Sequence, residues 1–421
     1  MSTAAVTNTH ADLRIDSIAA GGDGIARTEG IVVFVPRAAP GDLARVRLDI
    51  RRRFARGTIE EIIEPSPDRV EPPCRHYGID RCGGCQIQHL AYPAQLEVKR
   101  TIVRDALVRI GKRAADAPDI VPSERQWRYR SKLTLAMRRH DGRWTMGLHP
   151  YDDPVAVFAL QDCPITDERV LATWREIMAA STHLPPSDEL RASVRLTEGG
   201  VAVVMQGGTH WPARSAFFDA VPSVSELWWK PAHRPRMLVA QRGAAQGGGG
   251  GGGGASFAQV NPAVALTLRD YVLERIRALG PSTLVDAYAG SGSTAAPIAA
   301  EGVRVTAIEV DADATNRCAT LLPEGSRALA GRVEDRLAAA LPADVVLLNP
   351  PRTGLHERVT DTLQSVSPAP RAVIYVSCDP ATLARDLARL PRYRIASLRA
   401  FDMFPQTAHV ETVCELVPAY P

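Results

Sequence analysis

The chain has 421 residues, 45% of them hydrophobic and 23% charged, with a formal net charge of +3. That length asks for two or three domains and that composition is globular, while so small a net charge does not by itself argue for nucleic acid. No apolar run approaches the roughly 18 residues that span a bilayer, and MSTAAVTNTHADLR lacks the basic-then-apolar order of a signal peptide. No membrane association and a cytoplasmic location are expected.

Residues 11–65 read as short β-rich runs (13–18, 31–35, 43–50, 56–63) separated by turn signals such as AAGGDGIA and RAAPGD. Five or so strands in so short a stretch fit a small oligonucleotide-binding barrel. Arg37, Arg45, Arg47, Arg51, Arg52, Arg53 and Arg56 face two acids, Asp42 and Asp49, and the whole chain has four lysines. Guanidinium suits bidentate phosphate contact; a solvated strand face is the competing reading.

Next comes PPCRHYGIDRCGGCQIQH, with Cys74, Cys82 and Cys85, ahead of an amphipathic helix near 93–111; LQDCPI adds Cys163. A C-x7-C-x2-C group flanked by glycines is a metal-site pattern. Zinc and an iron–sulfur cluster both accept four thiolates, and the proline after Cys163 tilts towards iron–sulfur. RYRSKLTLAMRRHDGRWTMGLH is a hairpin turning at Asp141-Gly142, and RASVRLTEGGVAVVMQG a second turning at Gly199-Gly200. The glycines at 247–254 act as a flexible coil and are assigned no chemistry.

From 256 the rhythm becomes βαβα. Asn261-Pro262 starts a helix that Gly280 closes, and strands follow at 283–286, 303–308, 344–348 and 372–376. That alternation implies a doubly wound, mostly parallel α/β sheet. LVDAYAGSGSTAAPIA runs from strand through a glycine turn into a helix, where Gly290 and Gly292 admit close backbone approach by a ligand. Glu309 ends the next strand and can accept the hydroxyls of a ribose. This is the layout of S-adenosylmethionine sites in class I methyltransferases rather than the full dinucleotide pattern.

NPPRTG (349–354) follows a further strand, and AVIYVS delivers Cys378 to the same edge, with Glu411 just ahead of the last strand. A thiolate adding at C6 of uracil makes C5 nucleophilic towards a methyl sulfonium, and a base must then remove the C5 proton. Cys378 and Glu411 fit those two roles. Cys318 and Cys414 lack such settings and read as packing residues.

In sum of motifs and order, the chain resembles the RNA 5-methyluridine (uracil-C5) methyltransferase family, in its form with an N-terminal TRAM domain and a 4Fe-4S cluster. The resemblance covers nearly the whole length, through the TRAM-like module, the cysteine group, SFAQVN, the cofactor loop, NPPR, SCDP and HVET. It implies a Rossmann-like domain at 256–421, a TRAM barrel at 1–68 and a central α+β domain at 69–255. It implies Cys74, Cys82, Cys85 and Cys163 as cluster ligands, and Gln259, Tyr288, Ser293, Glu309 and Asn349 as cofactor contacts. Cys378 falls on the nucleophile and Glu411 on the base. The implied partner is RNA, ribosomal before transfer RNA, bound by a monomer. Two departures stand out: the family's DPPR is NPPR here, an amide for a carboxylate, and its FCGxGNF is YAGSGST. Asn-Pro-Pro keeps an amino methyltransferase acting on adenine or guanine in view. The departures together keep a catalytically impaired RNA-binding protein in view.

Overall fold

The structure, a computed structural model, describes residues 9–243 and 259–419. The glycine run at 247–254 lies outside the described residues. The first unit comprises β1 (Thr9–Arg14), β2 (Ser17–Ile18), β3 (Gly24–Thr28), β4 (Ile31–Val35), β5 (Leu43–Ile50) and β6 (Phe54–Glu64). They form a sheet in the order β1-β5-β6-β4-β3-β2, and β1 also lies against β3, so the sheet curls round its core. Period-two alternation decides the faces: Ala44, Val46 and Leu48 point inward with Leu13, Val33 and Ala55, while Arg45 and Arg47 point out.

The chain then forms α1 (Arg75–Gly78), α2 (Tyr92–Arg109), β7 (Asp119–Val121), β8 (Lys132–His140), β9 (Arg143–Leu148) and β10 (Phe158–Ala159). After these come α3 (Glu168–Ala179), β11 (Glu189–Thr197), β12 (Gly200–Gln206), α4 (Arg214–Ala220), β13 (Val224–Lys230) and β14 (Met237–Gln241). The second sheet runs β10-β9-β8-β11-β12-β13-β14. Its Leu133, Leu135, Met137, Val194 and Val203 pack with Trp174, Ile177 and Phe217, in one core with Cys74, Cys85 and Cys163. The second hairpin turns one residue earlier than expected: Thr197 pairs with Gly200, leaving Glu198 and Gly199 as the turn.

The third unit contains α5 (Pro262–Leu279), β15 (Thr283–Ala287), α6 (Ala295–Ala300), β16 (Arg304–Glu309), α7 (Ala312–Leu321), β17 (Arg327–Ala330), α8 (Val333–Ala340) and β18 (Val345–Leu348). It ends with α9 (Glu357–Ser365), β19 (Ala372–Ser377), α10 (Pro380–Ala388), β20 (Tyr393–Phe401) and β21 (Glu411–Pro418). The Asn261 side chain accepts from the Val264 N–H, Pro262 opens α5, and Gly280 closes it in a left-handed cap, as the sequence predicts. The sheet order is β17-β16-β15-β18-β19-β21-β20-β7, parallel except for β21. Strand order reverses between β15 and β18, so the carboxyl edge there is the crevice where such sheets take ligands.

Two elements that precede residue 256 pack with the third unit. Strand β7 pairs with β20 as the edge of the third sheet, and α2 buries Val103, Ala106 and Leu107 against Leu383, Ala384 and Leu387 of α10. Both associations are non-local, and a three-residue strand carries no periodicity by which to see it. Among the described residues no helix is long and apolar enough to cross a membrane.

Candidate active site at the carboxyl edge of the third sheet

The end of β15 leads into a loop in which Tyr288, Gly290 and Gly292 all take left-handed φ, at 68°, 56° and 89°. Both Tyr288 and Ala289 donate their N–H to the Ile308 carbonyl, which holds the loop over β16. At Gly292 a Cβ would stand 2.8 Å from the Cys318 sulfur, so α7 packs directly beneath the loop. At Gly290 a Cβ would meet nothing within 4 Å, and the loop is open to a ligand on that side. Glu309 accepts from the Gly290 N–H at 2.9 Å and from the Asp311 N–H at 2.8 Å, which fixes its carboxylate at the rim. Behind it, burial pushes the Asp286 carboxyl up to about 7, and its Oδ2 has no hydrogen-bond partner among the described residues.

Tyr288 and Gln259 are half-buried; Ser293 and Asn349 are exposed at the same edge. Asn349 donates its N–H to the Ala287 carbonyl, tying the NPPR turn to the cofactor loop. The Ser131 hydroxyl donates to the Gln259 and Val260 carbonyls, tying that segment to the central unit. A ring, an amide and a carboxylate round an open glycine loop are a fitting donor set for an adenosyl cofactor.

Cys378 follows β19, and the register that pairs Ser377 with Thr412 sets it across from Glu411, the first residue of β21. The Thr412 hydroxyl donates to the Ser377 carbonyl, and Asp379 caps α10 through the Thr382 N–H. Burial raises the Cys378 thiol, the Glu411 carboxylate adds to it, and the Arg352 guanidinium opposes both. Burial pushes Glu411 up to about 7, against the same Arg352. Arg352 belongs to the NPPR turn, which Thr382 and Arg385 of α10 fasten by donating to the Arg352 and Thr353 carbonyls. The motif therefore supplies a cation to the Cys378 thiol and the Glu411 carboxyl, a role that sequence reading did not give it. Its place directly after Asn-Pro-Pro was the available signal.

The four clustered cysteines are all buried. Burial raises each thiol, and the others add to it: Cys74 and Cys163 on Cys82, those two and Cys82 on Cys85, and Cys74 on Cys163. The Gly84 N–H donates to the Cys82 sulfur at 3.4 Å, and Gln88 faces Cys74 and Cys85. Among the described residues no group of three or more His, Cys, Asp or Glu side chains is arranged to hold a single metal ion.

The basic stretch of the first unit looks different in space. Arg45 pairs with Asp12 and Glu61, Arg47 with Glu60, Arg51 with Asp49 and Arg56 with Asp23. Arg37 stacks on the rings of Tyr77 and Tyr151, at 4.0 and 4.7 Å, and donates to the Tyr77 and Cys82 carbonyls. Among the described residues, Arg52 and Arg53 alone of the seven have no such partner. For Arg45 and Arg47 the partner carboxylates lie on the adjacent strands β1 and β6, remote in sequence.

An N-terminal barrel ahead of a doubly wound sheet, with a glycine loop, thiol and carboxyl at one edge, defines a class I methyltransferase fold preceded by a small β-barrel. Residues 325–417 match the tRNA (Uracil-5-)-methyltransferase family and residues 11–59 the TRAM domain. The chain is 32% identical over 448 residues to an uncharacterized RNA methyltransferase of Thermosynechococcus vestitus, covering 96% of this chain and 97% of that one. Another from Gloeobacter violaceus is 33% identical over 444 residues, covering 96% and 95%. The fold is that of the Pyrococcus abyssi tRNA (uracil-54, C5)-methyltransferase solved with S-adenosyl-L-homocysteine, at TM-score 0.69 and 22% identity over 97% of this chain and 100% of that one. The chain belongs to the RNA uracil-5 methyltransferase family, in its TRAM-containing form.

Proposed function

We propose that the protein methylates C5 of a uridine in RNA, with S-adenosylmethionine as methyl donor. One observation carries the reading: the register of β19 and β21 sets the half-buried Cys378 across from the buried Glu411 at the carboxyl edge of the sheet, with Arg352 acting on both. Gln259, Tyr288, Gly290, Gly292, Ser293, Glu309 and Asn349 surround the place for the cofactor, which supplies an electrophilic methyl when bound. Cys378 Sγ adds to C6 of the uracil, and the ring's π electrons move to make C5 nucleophilic. Once C5 carries the methyl, Glu411 takes the C5 proton, the C5–C6 double bond re-forms and the thiolate leaves. Asn349 in place of a carboxylate contributes a hydrogen bond without charge, and leaves Glu411 as the base.

Cys74, Cys82, Cys85 and Cys163 would hold a 4Fe-4S cluster. Four buried thiols within electrostatic reach of one another fit a thiolate-ligated cluster, and the proline after Cys163 favours iron–sulfur over zinc. The cluster's part is structural, since the four thiols belong to the core of the central sheet and not to the reacting edge.

We place ribosomal RNA first as substrate, from the resemblance to members combining a TRAM domain with a cysteine cluster, and transfer RNA second. The test is to incubate unmodified ribosomal and transfer RNA with protein and cofactor, digest to nucleosides and identify the product by mass and retention. 5-Methyluridine is expected. N6-methyladenosine or N2-methylguanosine would instead establish the amino reading of NPPR, in which Cys378 and Glu411 have no task.

A further inference from the structure

Between the end of β20 and Glu411 the chain makes a turn, Asp402–Val410, several of whose polar groups bond to residues remote in sequence. Gln406 sits at its tip with φ of 71°, a left-handed conformation in a residue that has a Cβ, and its side chain is buried. Gln95 of α2 holds it from two directions. The Gln95 carboxamide N–H donates to Gln406 Oε1 at 2.9 Å, and Gln95 Oε1 accepts from the Gln406 backbone N–H, also at 2.9 Å. Gln95 is itself fixed by a bond to the Leu90 carbonyl, and the Ile87 N–H donates to the Gln406 carbonyl.

One turn along α2, Lys99 pairs with Asp402 and donates to the Phe404 carbonyl, and the Tyr92 hydroxyl donates to Asp402 at 2.8 Å. Tyr129 donates to the Pro405 carbonyl, and the Ala408 N–H to Gln86. None of these contacts reaches Cys378, which is set by β19 and the cap of α10. Glu411, by contrast, is the residue into which the turn runs, paired with Phe401 at its other end.

We propose that Gln95 is a positioning residue for the base: its carboxamide holds Gln406 left-handed, and so holds the Asp402–Val410 turn in the shape that presents Glu411 to C5 of the target uridine. This rests on the uracil-C5 reading above. Loss of Gln95 lets Gln406 relax to a right-handed or extended backbone and moves the base, while the thiol stays where it is. Attack on C6 and methyl transfer then proceed, and elimination stalls.

The test compares wild type with Gln95→Leu, of similar size but without hydrogen bonds, on natural uridine RNA with S-adenosylmethionine. Expected for the variant are an about 100-fold fall in kcat, the loss that about 1 Å of misplacement brings, and accumulation of a denaturation-resistant protein–RNA complex. Cofactor affinity by calorimetry stays as in wild type, while KM for RNA falls together with kcat, as a stalled step after covalent attachment requires. Adding Gln406→Gly, which takes the left-handed conformation without strain, restores about tenfold of the lost rate. Should Gln95→Leu fail to bind cofactor, Gln95→Glu, which keeps the acceptor and loses the donor, takes its place with the same expected complex. Unchanged turnover, or a loss with neither trapped complex nor rescue by Gln406→Gly, overturns the proposal. Fluorinated-uracil RNA separates the two levels: if wild type traps none of it, the uracil reading fails and takes this proposal with it. If wild type traps it and the Gln95 variants behave as wild type on natural RNA, this proposal alone fails.

Discussion

Glu411 occupies a site that is 5% exposed, where burial holds its carboxyl at about 7 against an ordinary 4.5. The folded protein thus keeps a proton there that the unfolded chain has given up above pH 4.5. Its contribution to stability is complete below about pH 4.5 and is lost as the pH rises through 7. Glu411→Gln therefore gains up to about 3 kcal/mol over wild type at pH 8 and nothing at pH 4, which urea melts at the two pH values measure. In the proposed reaction the same residue must be ionised to accept the C5 proton. With elimination limiting, kcat climbs about tenfold per pH unit below 7 and levels off above it, while Glu411→Gln loses turnover and retains the covalent RNA complex.

At the scale of elements, the cofactor loop is held from below by α7. Gly292→Ala places a Cβ against the Cys318 sulfur in a conformation, φ of 89°, that L side chains rarely adopt. A loss of about 1–3 kcal/mol in stability is expected, together with weaker S-adenosylmethionine binding in calorimetry. Adding Cys318→Ala relieves the clash but not the backbone strain, so recovery is partial; full recovery would show that the strain costs nothing. The loop itself was legible because strand, paired glycines and helix are consecutive in sequence. So were α5 with both its caps and four of the parallel strands that follow it, β15, β16, β18 and β19, whereas the four-residue β17 was not. Helix α2 was legible as an amphipathic helix, but not for its position. Its Gln95 and Lys99 look like solvated residues by type, and become buried through partners at Gln406 and Asp402, some 300 residues on. Arg45 and Arg47 of β5 likewise meet Asp12, Glu60 and Glu61 on the neighbouring strands, pairings that the local sequence does not display.

For the molecule as a whole, Arg37 joins the barrel to the cysteine segment, and that segment continues through Gln86 and Ile87 to the catalytic turn. The three sheets are therefore not beads on a string. Anaerobically purified protein is expected to carry about four iron and four sulfide per chain. Cys85→Ser lowers the iron content and the melting temperature, yet still forms the covalent complex at a temperature where it is folded. Zinc in place of iron would contradict the cluster assignment. The central claim, that Cys378 attacks the uracil ring, has a more direct test. Protein, S-adenosylmethionine and RNA containing 5-fluorouracil are incubated and resolved on a denaturing gel, since fluorine at C5 blocks elimination and leaves the nucleophile attached. A slower protein–RNA band, absent in Cys378→Ala, is the result predicted here. A wild-type lane without that band, on ribosomal and transfer RNA alike, would contradict it.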